Sequence, residues 1–157
     1  MHTLSTADRE FMAAFEACEI PRAEFRHRAH LRLAYCYLAG SDAETAIARC
    51  RSAIVRFIRH NGIDPAKYSE TLTQAWVLAV HHFMQASGPA NSADEFLERS
   101  ARLLDSRIMS AHYSADVLSS PEARSRFVEP DRLPIPRYAR NGEVLAVGDH
   151  PASPPLG

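Results

Sequence analysis

The chain has 157 residues, of which 46% are hydrophobic and 24% are charged, and its formal net charge is −1 at pH 7. This length fits one domain, and the composition is that of a globular protein rather than a disordered or fibrous one. The lack of a strong positive charge argues against nucleic acid or an anionic membrane surface as a partner.

Helix signals begin close to the N-terminus. Ser5 and Asp8 have the spacing of a helix-capping pair, and apolar residues at helical spacing then continue until Pro21. A second helix is predicted from Glu24 to Gly40, because its apolar residues recur every three or four positions until the glycine.

The third helix is predicted to start at a capping box formed by Ser41 and Glu44 and to end at Gly62. Glycine commonly closes a helix because it adopts left-handed backbone angles without strain. Four arginines lie off the apolar line of this helix, and we interpret them as a solvated face. They are Arg49, Arg51, Arg56 and Arg59.

The fourth helix is predicted from about Ala66 to Ala86 and is apolar on two sides. A helix of this kind usually lies at the centre of a bundle, so we expect the fourth helix to be the central one. Ser92 and Glu95 then form a capping box for a fifth helix, which is predicted to extend through Leu104.

After Asp105 the segments with helical spacing of apolar residues become shorter. Short helices are predicted after Ser114 and Ser120, and the prolines that follow Glu129 favour an extended strap as far as Tyr138. We therefore predict one all-α domain over residues 1–138: a compact bundle of about five main helices, short C-terminal helices and the strap. Residues 139–157 are predicted to be a flexible tail, in which residues 144–147 offer a short strand.

The cysteine content and the N-terminus bear on the cellular compartment. Cys18, Cys36 and Cys50 lie in three different predicted helices, and an odd number without a Cys-x-x-Cys pair argues against disulfides and a zinc ribbon. The N-terminal segment has no apolar signal core, and no run reaches the length of a membrane-spanning helix. We therefore expect a cytoplasmic protein.

The second helix contains two histidines that are candidates for a functional site. His27 and His30 are three residues apart and share a helix face with the apolar residues, so both imidazoles are expected to point inward. A buried imidazole needs a partner, because an unpaired buried polar group costs about 1–3 kcal/mol. A metal ion is one such partner.

Glu70, at the start of the fourth helix, is the best candidate for a third ligand. Two histidines and a carboxylate leave coordination positions open for water or substrate, as in zinc hydrolysis or non-haem iron chemistry. The leading hypothesis is therefore an enzyme that acts on a small organic molecule through a divalent ion (zinc, iron or copper). Tyr68 or Tyr113 would position or protonate the substrate. Four residues lie close enough in the sequence to donate hydrogen bonds around Glu70: Tyr68, Thr71, Thr73 and Gln74.

Three alternatives remain open at this stage. The histidines are also explained as a hydrogen-bonded core pair, with Glu70 satisfying one of them. A metal-free enzyme, such as a cyclase, isomerase or lyase, would use Glu70 and a histidine for proton transfer. A non-catalytic helical binding module would instead use the strap and tail to hold a partner.

Two stretches carry a resemblance to a known family. Residues 25–34 and 68–76 resemble the H-x-x-H-L-x-x-A and Y-H-E-T-[LI]-T-x-x-[WF] patterns of a family of small bacterial all-helical proteins, and the likeness continues to about Pro136. The resemblance implies that His27, His30 and Glu70 occupy motif positions, and it brings no chemistry of its own. This chain has Ser69 where the pattern has histidine. If that histidine is a metal ligand, the site in this chain is reduced or altered; if it only donates a hydrogen bond to a ligand, Ser69 is a weaker donor in its place.

Overall fold

The first helix, α1 (Thr6–Glu16), begins as its capping residues predict. In the computed structural model, which describes residues 1–139 and 142–145, Ser5 Oγ accepts a hydrogen bond from Asp8 N at 3.0 Å. Asp8 Oδ2 accepts one from Ser5 N, also at 3.0 Å. Each side chain satisfies a backbone N–H that the start of the helix would leave without a partner.

The second helix, α2 (His27–Ala39), starts at His27 rather than at the predicted Glu24. The residues before it form a separate 3-10 turn, Arg22–Glu24, whose hydrogen bonds are of the tighter i to i+3 type. The two histidines of interest therefore lie in the first two turns of α2.

The third helix, α3 (Ala43–His60), is capped differently from the prediction. Asp42 Oδ1 accepts a hydrogen bond from Thr45 N at 2.8 Å, whereas Ser41 Oγ donates to the carbonyl of Tyr37 at 2.7 Å. The predicted Ser41–Glu44 box is therefore wrong. The predicted end is confirmed, because Gly62 adopts the left-handed φ of 63° that terminates a helix.

The fourth helix, α4 (Glu70–Ala86), also starts later than predicted. Pro65–Lys67 forms a 3-10 turn, and Ser69 then caps α4 by accepting a hydrogen bond from Leu72 N at 3.1 Å. The helix packs against both α2 and α3, and it also contacts a short C-terminal helix and strand. The predicted central position of this helix is confirmed.

The remaining helices are short. The predicted fifth helix is wrong beyond Arg99, because Ser100 leaves the helical region of backbone angles with φ −121° and ψ 44°. Two 3-10 segments and two helices of one turn or little more come after it. In chain order these elements are α5 (Ala93–Arg99), Ala101–Leu104, Ser106–Ala111, α6 (Ala115–Leu118) and α7 (Pro121–Ser125).

The C-terminal segment runs along the bundle without helix. Residues 129–136 are irregular, and β1 (Arg137–Tyr138) then pairs antiparallel with β2 (Val144–Leu145). We refer to residues 129–138 as the strap. The predicted short strand is found at Val144–Leu145, whereas Val147 and most of the predicted flexible tail lie outside the described residues.

The core lies between α1, α2, α3, α4 and α5. Within residues 1–139 and 142–145, regular structure is helical apart from the two short strands, which confirms the all-α class. In the same residues no helix is both long and apolar enough to cross a bilayer. The largest side chains with almost no exposed surface include Phe15, Leu31, Tyr35, Phe57 and Phe96.

Candidate functional site

Glu70 is held by four hydrogen bonds. Its Oε1 accepts from Arg51 Nε at 2.8 Å and from the Tyr68 hydroxyl at 2.8 Å. Its Oε2 accepts from Arg51 Nη2 at 2.7 Å and from Gln74 Nε2 at 2.6 Å. The two bonds from Arg51 form the parallel fork that guanidinium and carboxylate groups prefer. Both carboxylate oxygens therefore have protein donors. Of the four predicted donors, Tyr68 and Gln74 donate to Glu70, whereas Thr71 and Thr73 donate to backbone carbonyls.

The surroundings of Glu70 keep it ionised. Its burial alone would raise the pKa of the carboxyl, but the hydrogen bonds from Arg51, Gln74 and Tyr68 outweigh burial, so the pKa is lowered. Only 8% of the Glu70 surface is exposed. The four donors occupy both carboxylate oxygens, so neither oxygen is open to take a proton from a substrate. In this arrangement Glu70 fixes Arg51 and Tyr68 rather than offering itself to a substrate.

His27 is engaged by the backbone of another segment. Its Nε2 lies 2.8 Å from the carbonyl oxygen of Leu103. Because a carbonyl can only accept, Nε2 carries the proton in this contact. The ring also packs edge-on against Trp76 of α4, with 4.6 Å between the ring centroids. His27 therefore joins the start of α2 to the 3-10 segment Ala101–Leu104 and to the central helix.

His30 has a different environment. Its ring is partly exposed to a pocket of about 360 Å³, which we call the His30 pocket. Among the described residues its nitrogens form no hydrogen bond, and its ring contact is with Phe25, at 5.6 Å between centroids. Burial, assisted by the nearby His27, lowers the pKa of His30 to about 4. At neutral pH the imidazole is therefore uncharged, and one ring nitrogen offers a lone pair to a proton.

The walls of the His30 pocket come from α2, α3, the start of α4 and the turns between them. Apolar atoms make up most of the lining surface, as is typical of small-molecule sites, although six apolar and six polar or charged residues contribute to it. The apolar residues are Phe25, Ile54, Phe57, Ile58, Ile63 and Leu72. The polar and charged ones are Arg22, His30, Lys67, Tyr68, Ser69 and Thr73.

The structure brings together only part of the predicted site. His30 and Tyr68 line one pocket, with Glu70 behind Tyr68. Tyr113 is fully buried elsewhere, where its hydroxyl donates to the carbonyl of Val128 at 2.6 Å. Among residues 1–139 and 142–145, no three histidine, cysteine, aspartate or glutamate side chains are grouped to hold a metal ion. The metal site of His27, His30 and Glu70 and the catalytic role of Tyr113 stay predictions.

Known proteins offer no guide to this pocket. No family model, curated protein or solved structure matches the chain. The family resemblance of the two sequence patterns therefore stays a prediction. Any function assigned to the His30 pocket has to rest on the geometry and electrostatics of the pocket itself.

Arg51 is the main residue of this region that the sequence interpretation missed. The sequence predicts that it belongs to a solvated arginine face, and Arg51 is indeed exposed, but the sequence interpretation did not foresee that its guanidinium binds Glu70. A signal was present in its position: Arg51 follows Ile47 by four residues and precedes Ile54 by three, so it borders the apolar stripe of α3. A buried glutamate on a neighbouring helix needs such a cation.

A larger cavity, of about 930 Å³, lies at the other end of α4 and is less suited to chemistry. The histidines that line it are His2, whose Nε2 lies 2.8 Å from the Met84 carbonyl oxygen, and His81, whose Nε2 lies 3.2 Å from Gln85 Nε2. His81 Nδ1 is buried and has no hydrogen-bond partner among the described residues. The His30 pocket is the better candidate because its lining is more apolar and neither nitrogen of His30 has a protein partner among those residues.

Proposed function

We propose that the chain is a metal-free acid–base enzyme, in which His30 exchanges a proton with a small organic molecule bound in the His30 pocket. One observation carries this proposal: an uncharged imidazole faces a mostly apolar pocket and has no protein hydrogen-bond partner among the described residues. An unpaired polar group in such a place reduces the stability of the fold unless a ligand or a water molecule forms a hydrogen bond with it. Functional sites accept this cost more often than structural ones.

Tyr68 gives the pocket a second polar group of fixed orientation. Its hydroxyl donates to Glu70 Oε1, which fixes the orientation of the phenol at the wall of the pocket. Burial, and then the neighbouring Glu70, raise the pKa of Tyr68, which keeps the hydroxyl protonated. In the proposed site Tyr68 orients the ligand, and His30 takes up and returns a proton, as an isomerase, cyclase or lyase requires.

Deuterium exchange tests the proposal without knowledge of the natural substrate. A library of small carbonyl and enolisable compounds is incubated with the protein in D₂O, and proton NMR detects the loss of a carbon-bound proton. The parent is compared with His30→Gln, which removes the proton acceptor, and with His60→Gln, a matched change at the exposed end of α3. Binding of each compound is measured in parallel.

We expect at least one compound to exchange in the presence of the parent and of His60→Gln, and to lose about a hundredfold or more of that rate with His30→Gln. If compounds bind equally well to the parent and to His30→Gln, and if no carbon-bound proton is ever exchanged, the protein is a binding module rather than an enzyme. Exchange that is unaffected by His30→Gln would contradict the proton-transfer role of His30.

The metal-dependent hypothesis makes a separate prediction. A metal ion bound by His27, His30 and Glu70 would have to displace Arg51 from Glu70, and it would have to bind His27 through Nδ1, because Nε2 donates to the Leu103 carbonyl. Elemental analysis of the untagged protein beside a His27→Ala/His30→Ala double variant checks this. We expect no stoichiometric zinc, iron or copper in either protein. Near-stoichiometric metal in the parent alone would replace the metal-free proposal.

A further inference from the structure

The mouth of the His30 pocket carries positive charge. Arg22 and Lys67 are the charged side chains that line it, and no aspartate or glutamate among the described residues does so. Both residues are exposed. Within the described part of the chain, neither side chain forms an ion pair or a hydrogen bond. The guanidinium of Arg51 is by contrast paired with Glu70.

These two cations stand beside an apolar cavity. Low-dielectric walls concentrate the field of nearby charges, so an anion at the mouth is attracted more strongly than at an open surface. The apolar side chains behind the mouth, including Phe25, Phe57 and Leu72, can cover a hydrocarbon or aromatic body. The pocket therefore offers a cationic mouth to a negatively charged group and an apolar interior to the rest of a ligand.

We propose that the ligand of the His30 pocket is a small organic carboxylate, with its carboxylate held by Arg22 and Lys67 and its apolar body inside the cavity. This inference rests on the same pocket as the proposed function, but it concerns what binds rather than what reacts. The volume of about 360 Å³ is at the lower end for ligand pockets and suits a molecule the size of an aromatic ring with a short side chain.

A carboxylate fits this mouth better than a phosphate ester does. Phosphate sites generally use free backbone N–H groups at the start of a helix in addition to cations. The start of α4 borders the pocket, but Ser69 Oγ already accepts the hydrogen bond of Leu72 N at 3.1 Å. The first residue of α4 is, moreover, the ionised Glu70. The site therefore suits the single negative charge of a carboxylate better than the two negative charges of a phosphate ester.

Lys67 makes the test unusually direct, because it is the only lysine in the chain. Reductive methylation with ¹³C gives one lysine signal, separate from that of the N-terminal amine, and this signal reports on the mouth of the pocket. The probes are benzoate, phenylacetate and trans-cinnamate, each compared with its neutral amide, and phenyl phosphate. Dissociation constants are measured calorimetrically on the unmethylated protein.

We expect at least one carboxylate to bind about tenfold or more tightly than its amide and to shift the Lys67 signal. Lys67→Gln and Arg22→Gln should each weaken that binding by about three- to tenfold, and added salt should weaken it in the parent. Arg9→Gln is the matched control, since it removes one exposed positive charge from α1 and should change nothing.

The inference is overturned if no carboxylate binds at millimolar concentration, if the amides bind as well as the carboxylates, or if Arg9→Gln weakens binding as much as the two mouth variants. Tighter binding of phenyl phosphate would overturn the choice of a carboxylate. Carboxylates that bind to the parent with the expected dependence on Lys67 and Arg22 but never exchange a proton refute the proposed function alone. Proton exchange of neutral compounds without any preference for carboxylates refutes this inference alone.

Discussion

The carboxylate of Glu70 and the guanidinium of Arg51 form an unequal pair. The Glu70 side chain is 10% exposed, whereas that of Arg51 is 44% exposed. Water therefore still solvates much of the cation, and the anion depends on protein donors. Partly exposed ion pairs of this kind stabilise a fold less than their short distances suggest. Removing the donors of the buried carboxylate is nevertheless costly, because it leaves a buried charge without a partner.

Replacing Glu70 with glutamine tests this pair. We expect Glu70→Gln to reduce the free energy of unfolding at pH 7 by about 1–3 kcal/mol, because the charge-assisted bonds from Arg51 are lost. The measurement is urea denaturation, with Glu44→Gln, an exposed first-turn change in α3, as the control. Equal stability of the two variants would contradict a stabilising role for the pair.

The same pair predicts a pH dependence. Because the folded-state pKa of Glu70 is lowered, its contribution is complete above the unfolded value of about 4.5 and is lost as the pH falls through the folded value. The stability difference between the parent and Glu70→Gln should therefore shrink below about pH 4.5. A difference that stays constant down to pH 3 would be inconsistent with the lowered pKa.

Individual residues of the site were predictable to different degrees. The inward position of His30 follows from its place on the apolar stripe of α2, and the donors Tyr68 and Gln74 follow from their sequence distance to Glu70. The partner Arg51 depends on how α3 and α4 are rotated against each other, and no local pattern encodes that rotation. The same applies to the meeting of Arg22 and Lys67 at one pocket mouth.

At the level of elements, the helices were predictable and several of their starts were not. Apolar periodicity identified α1 to α4, because each buries one or two faces in a common core. Short 3-10 turns before α2 and α4 have too few residues to show a period of their own. At the start of α3, Ser41 and Asp42 are both acceptable caps, and the sequence does not rank them.

The link between α4 and the segment after α7 depends on Thr71. This fully buried residue donates from Oγ1 to the Arg126 carbonyl at 2.9 Å and accepts from Val128 N at 3.0 Å. The Thr71 hydroxyl thus supplies a hydrogen-bond partner for the carbonyl before Phe127 and for the N–H after it. No secondary-structure pattern predicts this contact, since the partners are more than fifty residues apart in the sequence.

Thr71→Val keeps the shape of the side chain and removes the hydroxyl. We expect a loss of about 1–3 kcal/mol in the free energy of unfolding, because one buried N–H and one buried carbonyl lose their partner. The amide of Val128 should also exchange faster with D₂O than in the parent. Thr45→Val, at an exposed position of α3, serves as the control. An unchanged exchange rate at Val128 would contradict the proposed link.

At the level of the whole molecule, Asp8 connects three separate parts of the bundle. Its side chain is almost completely buried. Besides capping α1, it accepts hydrogen bonds from Arg32 Nε of α2 at 3.1 Å and from Ala93 N at the start of α5 at 3.0 Å. The sequence predicted the capping role, but the contacts with α2 and α5 arise only when the chain has folded.

Asp8→Asn should therefore destabilise the entire domain rather than α1 alone. We expect a loss of about 2–4 kcal/mol, in the range found when one member of a buried hydrogen-bonded pair is removed. The urea midpoint should fall while the slope of the transition stays the same, because the surface exposed on unfolding does not change. Glu10→Gln, an exposed change in the same helix, is the control. Independent unfolding of α1 would contradict this connection.

The order of the pocket residues along the chain has a consequence for synthesis. All residues that line the His30 pocket lie between Arg22 and Thr73, whereas the partners of Thr71 come from Arg126 and Val128. A ribosome produces the chain from its N-terminus, so the whole pocket wall has been made before the segment that fixes the start of α4. The half of the protein that contains the His30 pocket thus leaves the ribosome first, and the C-terminal residues secure it last.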